Sequence, residues 1–375
     1  MCLLTVVAAV VSSVSAGGPA DAQVLKFSDS GWTLQGDSTR VEMFDGRETL
    51  RMETGTAEFR GAQLQDGTID VDVMTSERRS FVYVQFRMHD EANYEEFYLR
   101  PHKTLMPDAV QYAPVYQGQS AWQLYYGSRG TTAVKIEPNV WQHLRIVLSG
   151  QHAAFFLGDT IKPFMVISHL ARPAQLGFVG LSAFLPPGTP GSGSIARYAN
   201  LRLSSRVAYS FPSLPAEPVL PTGTVRTWEV GEAFAAPDSA LSVIAPEWTA
   251  KMTRLQIEPD GFVELHRHLK MPKVTRYVGA VARIRVFAEK PGVRRFDIGF
   301  SDRVTVFLNG RPVFHRDDSY DFLNRRDGLI SFDQAAAYLP LRGGLNEISL
   351  IVTDRFGGWG VMGRFPDPRG LRIEP

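Results

Sequence analysis

The stretch Phe81-Val82-Tyr83-Val84-Gln85-Phe86-Arg87-Met88, followed closely by Glu95-Glu96-Phe97-Tyr98-Leu99-Arg100-Pro101-His102, decides how the chain folds. Both runs alternate apolar and polar residues, the period of a strand with one buried face. In the first, alternation places Tyr83, Gln85 and Arg87 on one face and Val82, Val84, Phe86 and Met88 on the other. In the second, Glu96, Tyr98, Arg100 and His102 lie opposite Phe97 and Leu99. Two such strands present rings, amides, a carboxylate and guanidiniums on one surface. That chemistry suits a sugar, whose CH-rich faces stack on aromatic rings while its hydroxyls meet bidentate side chains. An ordinary solvated sheet face is the simpler alternative, yet such faces favour Lys, Glu and Thr, and this one has little Lys.

Outward from these strands the same texture continues. From Leu25 to about Ser205, short alternating runs such as G-T-I-D-V-D-V, W-Q-H-L-R-I-V-L and L-G-F-V-G-L are separated by turn signals. The 33 Gly and 24 Pro of the 375 residues are scattered between them, and no long run has helical periodicity, so the class is all-β. A change of composition between Arg206 and Arg226, with Pro212, Pro215, Pro218 and Pro221, reads as an extended, semi-rigid linker. Strand-like runs resume near Thr227, and Asn309-Gly310 between two of them is a strong hairpin signal, because a type I′ turn needs positive φ at both positions. The expected organisation is two β-sandwich jelly rolls in tandem: residues 23–205, a linker at 206–226, and residues 227–375, after a leader at 1–22.

The order F-S-D-S-G-W, G-T-I-D-V-D-V, F-Y-L-R-P, W-Q-H-L-R-I-V-L-S-G-Q-H-A-A-F-F-L and L-G-F-V-G-L resembles the concanavalin A-like lectin/glucanase superfamily. It is most similar to the laminin-G-like and 3-keto-disaccharide hydrolase-like branch. The string D-R-V-T-V-F-L-N-G-R-P-V-F with L-R-G-G-L-N-E-I-S-L-I-V-T-D-R-F-G-G-W-G resembles the galactose-binding-like jelly rolls of bacterial carbohydrate-active enzymes. These resemblances imply architecture more than activity.

Composition narrows the partners. With 40 Lys+Arg against 39 Asp+Glu the formal charge is +1, and no basic stripe marks a nucleic-acid surface. The apolar Met1-to-Ala16 run has the length of a signal peptide, with cleavage expected after Ala16 or Ala22, and it is too short for a membrane span of about twenty apolar residues. A secreted or periplasmic protein is expected. The single cysteine, Cys2, would leave with that leader, so the mature chain is expected to hold no disulfide and no thiolate ligand.

A retaining glucanase of this superfold would carry opposed carboxylates on one strand, an E-x-D-x-x-E pattern or a near form. None is present. Glu95 and Glu96 are adjacent and face opposite ways, which leaves Glu96 as acid/base and Asp108, in a loop, as its partner. Arg87, Arg100, Gln85, Gln111, His102 and Tyr98 also include the residue types of a polysaccharide lyase. His266 and His268 would share a strand face with Glu264, a zinc-like spacing without a visible third ligand, so no metal is expected. The acidic run Asp317, Asp318 and Asp321 could take a structural calcium; no other cofactor is expected. In W-Q-L-Y-Y, alternation buries Trp122, Leu124 and Tyr126 and exposes Gln123 and Tyr125. The resulting expectation is an exported binder of a polysaccharide or oligosaccharide, held by Tyr83, Gln85, Arg87, Tyr98, Arg100, His102, Gln111 and Tyr125. Its alternatives are a glycoside hydrolase or lyase acting at the same face, with Glu96 and Asp108 as catalytic groups, and a non-catalytic protein-interaction module.

Overall fold

The computed structural model describes residues 22–186, 193–212, 218–237, 242–273, 276–321, 323–324 and 326–374. The expected leader, apart from Ala22, and linker residues 213–217 lie outside the described residues. The chain divides into two compact units. One comprises Met1–Asp90, Tyr94–Val110 and Thr132–Pro212; the other comprises Glu91–Asn93, Gln111–Thr131 and Ser213–Pro375. Among the described residues no helix is long and apolar enough to cross a membrane.

The first unit is a double-sheet jelly roll. One antiparallel sheet runs in the order Met165–Ile167, His152–Leu157, Gln142–Ser149, Gly67–Met74, Ala196–Ser204, Arg47–Met52, Arg40–Phe44. Within this unit the other sheet orders Asn93–Leu99, Phe81–Asp90, Gly177–Phe184, Gly55–Leu64 and Trp32–Gln35. The β-branched and aromatic residues at alternate positions, Val82, Val84 and Phe86 on one strand and Ile69, Val71 and Val73 on another, are buried and supply the apolar faces that hold the sheets together. Tyr198 ties one sheet to the other: its hydroxyl donates to the carbonyls of Tyr83 at 2.9 Å and Ser182 at 2.7 Å. Phe97 and Phe155 stack across the same interior at 4.6 Å. The expected linker begins against this unit, since Tyr209 and Phe211 pack on the buried Val147, Ala154 and Phe156.

On the outer face of the first sheet, His143 bridges two carboxylates. Its Nε2 lies 2.8 Å from Asp70 Oδ1 and its Nδ1 2.9 Å from Asp72 Oδ1. Those two hydrogen bonds push its pKa up to about 9. Burial, the largest single influence, would raise Asp70 and Asp72, but hydrogen bonds from His143 together with those from Arg145 to Asp70 and from Asn200 to Asp72, and the nearby positive charges, outweigh it and hold both carboxyls below their usual value. The histidine contribution to stability is therefore full below its ordinary pKa of 6.5 and is lost as pH rises through about 9. The aspartate contributions run the other way: present above pH 3.8, they are lost as pH falls through the lowered values. With the imidazole about one-third exposed at 33%, solvent screening reduces the histidine term to about 1–2 kcal/mol. Urea unfolding should show a loss of that size between pH 6 and pH 10, and His143→Gln should flatten the difference.

The second unit is also a sandwich. Its larger sheet runs Met252–Gln256, Thr227–Gly231, Tyr277–Ala288, Gly344–Asp354, Arg303–Leu308, Arg311–Asp317; its smaller one runs Val263–Glu264, Gly360–Arg364, Gly292–Ser301, Ala335–Leu341. Trp228, Phe296, Phe300, Ile348 and Trp359 centre its core. Asn309 and Gly310 form the expected turn, with φ of 50° and 79°. Trp359 lies in the core and donates from Nε1 to the Val352 carbonyl at 3.1 Å.

Glu264-Leu265-His266-Arg267-His268 departs from the expected strand. Glu264 caps a one-turn helix, Leu265–His268, by accepting from the His266 amide. The helical turn separates the two histidines. His266 is buried, 3.5 Å from both Glu264 and Asp354, whereas His268 is exposed. Among the described residues no group of His, Cys, Asp or Glu is placed to hold a metal ion. In the acidic run, Asp318 pairs with Arg316, and Asp321 accepts from the amides of Leu323 and Asn324.

Candidate functional site

The site follows from the register of three neighbouring strands of the first unit. Gly180 of the central strand pairs with Glu58 on one side and Gln85 on the other; Ser182 pairs with Thr56 and Tyr83. Paired residues share a face, so the row Glu58–Gly180–Gln85 lies beside the row Thr56–Ser182–Tyr83. Small residues in the middle and larger ones on both flanks make a trough, whose floor at Gly180 is covered by the Gln85 amide and the Met88 thioether. A Cβ at position 180 would fall 2.5 Å from Gln85 Oε1, so glycine is what lets the amide lie across the floor. Gln85 hydrogen-bonds the Tyr94 phenol and leaves its Oε1 buried without a partner among the described residues. A buried acceptor in that state carries a desolvation cost that a ligand hydroxyl would relieve.

Beyond these rows the groove is lined with rings. Tyr83 and Tyr98 lie 4.7 Å apart, and Phe81 lies 6.0 Å from Tyr98, 6.1 Å from Phe184 and 5.6 Å from His102. Phe184 is 42% exposed, so the cluster opens to solvent. Arg100 locks it in place. Its Nη2 donates to the Tyr98 hydroxyl at 3.0 Å and its Nη1 to the Asp108 carbonyl and carboxylate at 2.8 and 3.1 Å. Its guanidinium also lies 4.9 Å from the centre of the Tyr98 ring. The Asp108 carboxylate accepts from Lys103 as well.

Electrostatics favour binding over proton abstraction. Burial first, and Glu96 next, push Tyr83 well above the ordinary phenol value; burial and Glu96 act likewise on Tyr94. Burial is also the main cause for Tyr98. The three phenols therefore remain protonated donors near neutral pH and are poor bases. His102 is pulled down to about 4, chiefly by burial and then by Lys103, Arg79 and Arg100, which keeps its imidazole neutral at pH 7. Asp108 is engaged by Arg100 and Lys103, which makes it a support for the arginine.

The expected residues divide into three groups. Tyr83, Gln85, Tyr98 and Arg100 meet in the groove, with Glu96 acting electrostatically on the phenols of Tyr83, Tyr94 and Tyr98. His102 joins them from an unexpected element: the strand ends at Leu99, and Pro101 opens a 3₁₀ turn over Pro101–Lys103. Arg87 does not face the groove. The register shifts between Phe178 and Gly180, so that Phe86 and Arg87 together oppose Val179, a bulge with Arg87 at φ 48°. The bulge turns Arg87 into the interior, fully buried, where it donates to the carbonyls of Gln65 at 2.8 Å and Gly150 at 2.6 Å and faces Asp66 and Glu95.

Gln111 and Tyr125 belong to the second unit. Gln111 donates from Nε2 to the carbonyls of Trp122 and Tyr125 at 2.6 and 2.8 Å, and Tyr125 is buried edge-on against Tyr112 and Phe262. Within W-Q-L-Y-Y the expected alternation is lost, because the segment is a turn and not a strand: Leu124 is buried as expected, but so are Gln123 and Tyr125, while Trp122 and Tyr126 are only half-buried. Gln123 is buried, accepting from Ser301 Oγ at 2.9 Å and donating to the Asp327 carbonyl at 2.9 Å, while Trp122 is half-buried. Sequence reasoning missed Glu58, Tyr94, Gly180 and Ser182. The alternating small residues of G-F-V-G-L-S were the available signal.

No family model and no curated protein matches this chain. Among solved structures, a carbohydrate binding module, CBM66, from Bacillus subtilis is 16% identical with a TM-score of 0.35, covering 46% of this chain and 96% of that one. A beta-glucanase of Bacillus licheniformis is 11% identical with a TM-score of 0.36, covering 51% of this chain and all of that one (100%). A prokaryotic beta-1,3-1,4-glucanase (lichenase) derived from a mouse hindgut metagenome is 10% identical with a TM-score of 0.38, covering 50% and 99%. No residue role rests on these likenesses.

Proposed function

We propose that the first unit is a saccharide-binding module, whose ligand lies along the groove over Gly180 and Ser182 and stacks on the Phe81 and Tyr83 rings, with the buried Tyr98 behind them. The carrying observation is the combination of a partly exposed ring cluster with a buried, unpartnered amide oxygen on Gln85 in the same groove. Rings supply the apolar contact; three phenols, an amide and Glu96 supply directional hydrogen bonds. Binding is favoured over cleavage because Asp108 is engaged by Arg100 and Lys103. We further take the protein to act outside the cytoplasm, on a polysaccharide or oligosaccharide.

The test is a glycan array with wild type and Phe81→Ala. Phe81 is half-buried, so the substitution should leave thermal unfolding nearly unchanged while weakening retention of the bound glycan about fivefold to tenfold, the worth of one stacking ring. Equal retention by both proteins would overturn the assignment of the site.

A further inference from the structure

The groove is electrically lopsided. At one end Tyr94 feels two carboxylates, Glu96 and Glu58, the second of them paired with Arg60 at 2.9 Å. At the other, Lys103, Arg79 and Arg100 act on His102, with the Asp108 carboxylate opposing them. The basic end is built, not adventitious. Arg100 is nearly fully buried and fixed by Tyr98 and Asp108, and its guanidinium lies 5.8 Å from the centre of the Phe81 ring. The turn that carries Arg78 and Arg79 is pinned by two serines, Ser80 Oγ donating to the Arg78 carbonyl at 3.3 Å and Ser194 Oγ to the Arg79 carbonyl at 3.4 Å. His102 Nδ1 is buried there without a partner among the described residues. Lys103, with its side chain 39% exposed, stands at the solvent edge of the group.

We infer that the Phe81 and His102 end of the groove receives the anionic substituent of an acidic saccharide, a uronate carboxylate or a sulfate ester, with the neutral part of the sugar toward Glu96. The inference rests on the saccharide-binding reading and adds the ligand's charge and its direction. Lys103 and Arg79 supply the attraction. Arg100 positions the rings and shares Asp108 with Lys103. Glu96, which lies between Tyr94 and Tyr98 on its strand, disfavours the same anion on the Tyr94 side, so one orientation is preferred over its reverse.

Two matched pairs test the charge without changing the backbone of the sugar: oligogalacturonate against its fully methyl-esterified form, and a sulfated galactan oligosaccharide against its desulfated form. In calorimetric titrations at low ionic strength the charged member of at least one pair should bind about tenfold more tightly, and the gap should shrink in about 0.5 M salt. The pair that shows the preference distinguishes carboxylate from sulfate. Lys103→Gln and Arg79→Gln should each reduce the charged-to-neutral ratio severalfold, with melting curves confirming that the fold is kept. Equal or weaker binding of the charged member in both pairs would overturn the inference and leave saccharide binding standing. Absence of binding to these four ligands and to every glycan of the array would overturn both.

Discussion

Replacing Arg87 by methionine will destabilise the first unit by about 3–5 kcal/mol, a drop in melting temperature of roughly 10 °C. The side chain is fully buried, with Glu95, itself fully buried, 3.5 Å from its Nη1. Its remaining donors are taken by the Gln65 and Gly150 carbonyls, and Asp66 lies 3.1 Å from Nη2. Methionine fills much of the volume but leaves the Glu95 carboxylate beside an apolar group and two carbonyls without their donor. A double replacement, Arg87→Met with Glu95→Met, should recover a large part of the loss, since a buried ion pair can often be exchanged for apolar packing. Urea denaturation of the four proteins of this cycle measures both terms. A single-mutant loss under about 1 kcal/mol would contradict the placement of Arg87 in the interior.

Arg100→Ala will have a double effect, because Arg100 acts through the groups it holds. It removes hydrogen bonds to the Tyr98 hydroxyl and to the Asp108 carbonyl and carboxylate. Breaking a nearly buried charged network should cost about 2 kcal/mol of stability and several degrees of melting temperature. It also frees the Tyr98 ring and the loop that carries Lys103, so glycan affinity should fall at least about thirtyfold, the equivalent of about 2 kcal/mol. Phe81→Ala separates the two effects, since it should weaken binding while leaving stability nearly unchanged. A lowered melting temperature with unchanged glycan affinity for Arg100→Ala would make this network purely structural.

Much of this arrangement was legible in the sequence, and the residues that were not share a cause. Alternation found the strands, the opposed faces of Glu95 and Glu96, and the meeting of Tyr83, Gln85, Tyr98 and Arg100. Asn309-Gly310 announced its turn because the required φ values favour those two residue types. Arg87 was misplaced because alternation holds only while the register does, and nothing local to F-V-Y-V-Q-F-R-M announces the extra residue of a bulge. His102 and the W-Q-L-Y-Y segment were read as strand where Pro101 and a turn intervene. Glu58 and the Gly180–Ser182 floor required the pairing of strands more than a hundred residues apart, which no single window contains. His266 went into a helix because Glu264 caps it, a contest between strand pattern and local capping that the cap won.

The most direct measurement is a crystal structure of the protein with the tightest-binding oligosaccharide from the array. The account predicts a sugar ring packed against Phe81 or Tyr83, a hydroxyl within hydrogen-bond distance of Gln85 Oε1, and the ligand running over Gly180 and Ser182. A saccharide bound elsewhere on the molecule, with this groove filled by water, would contradict it.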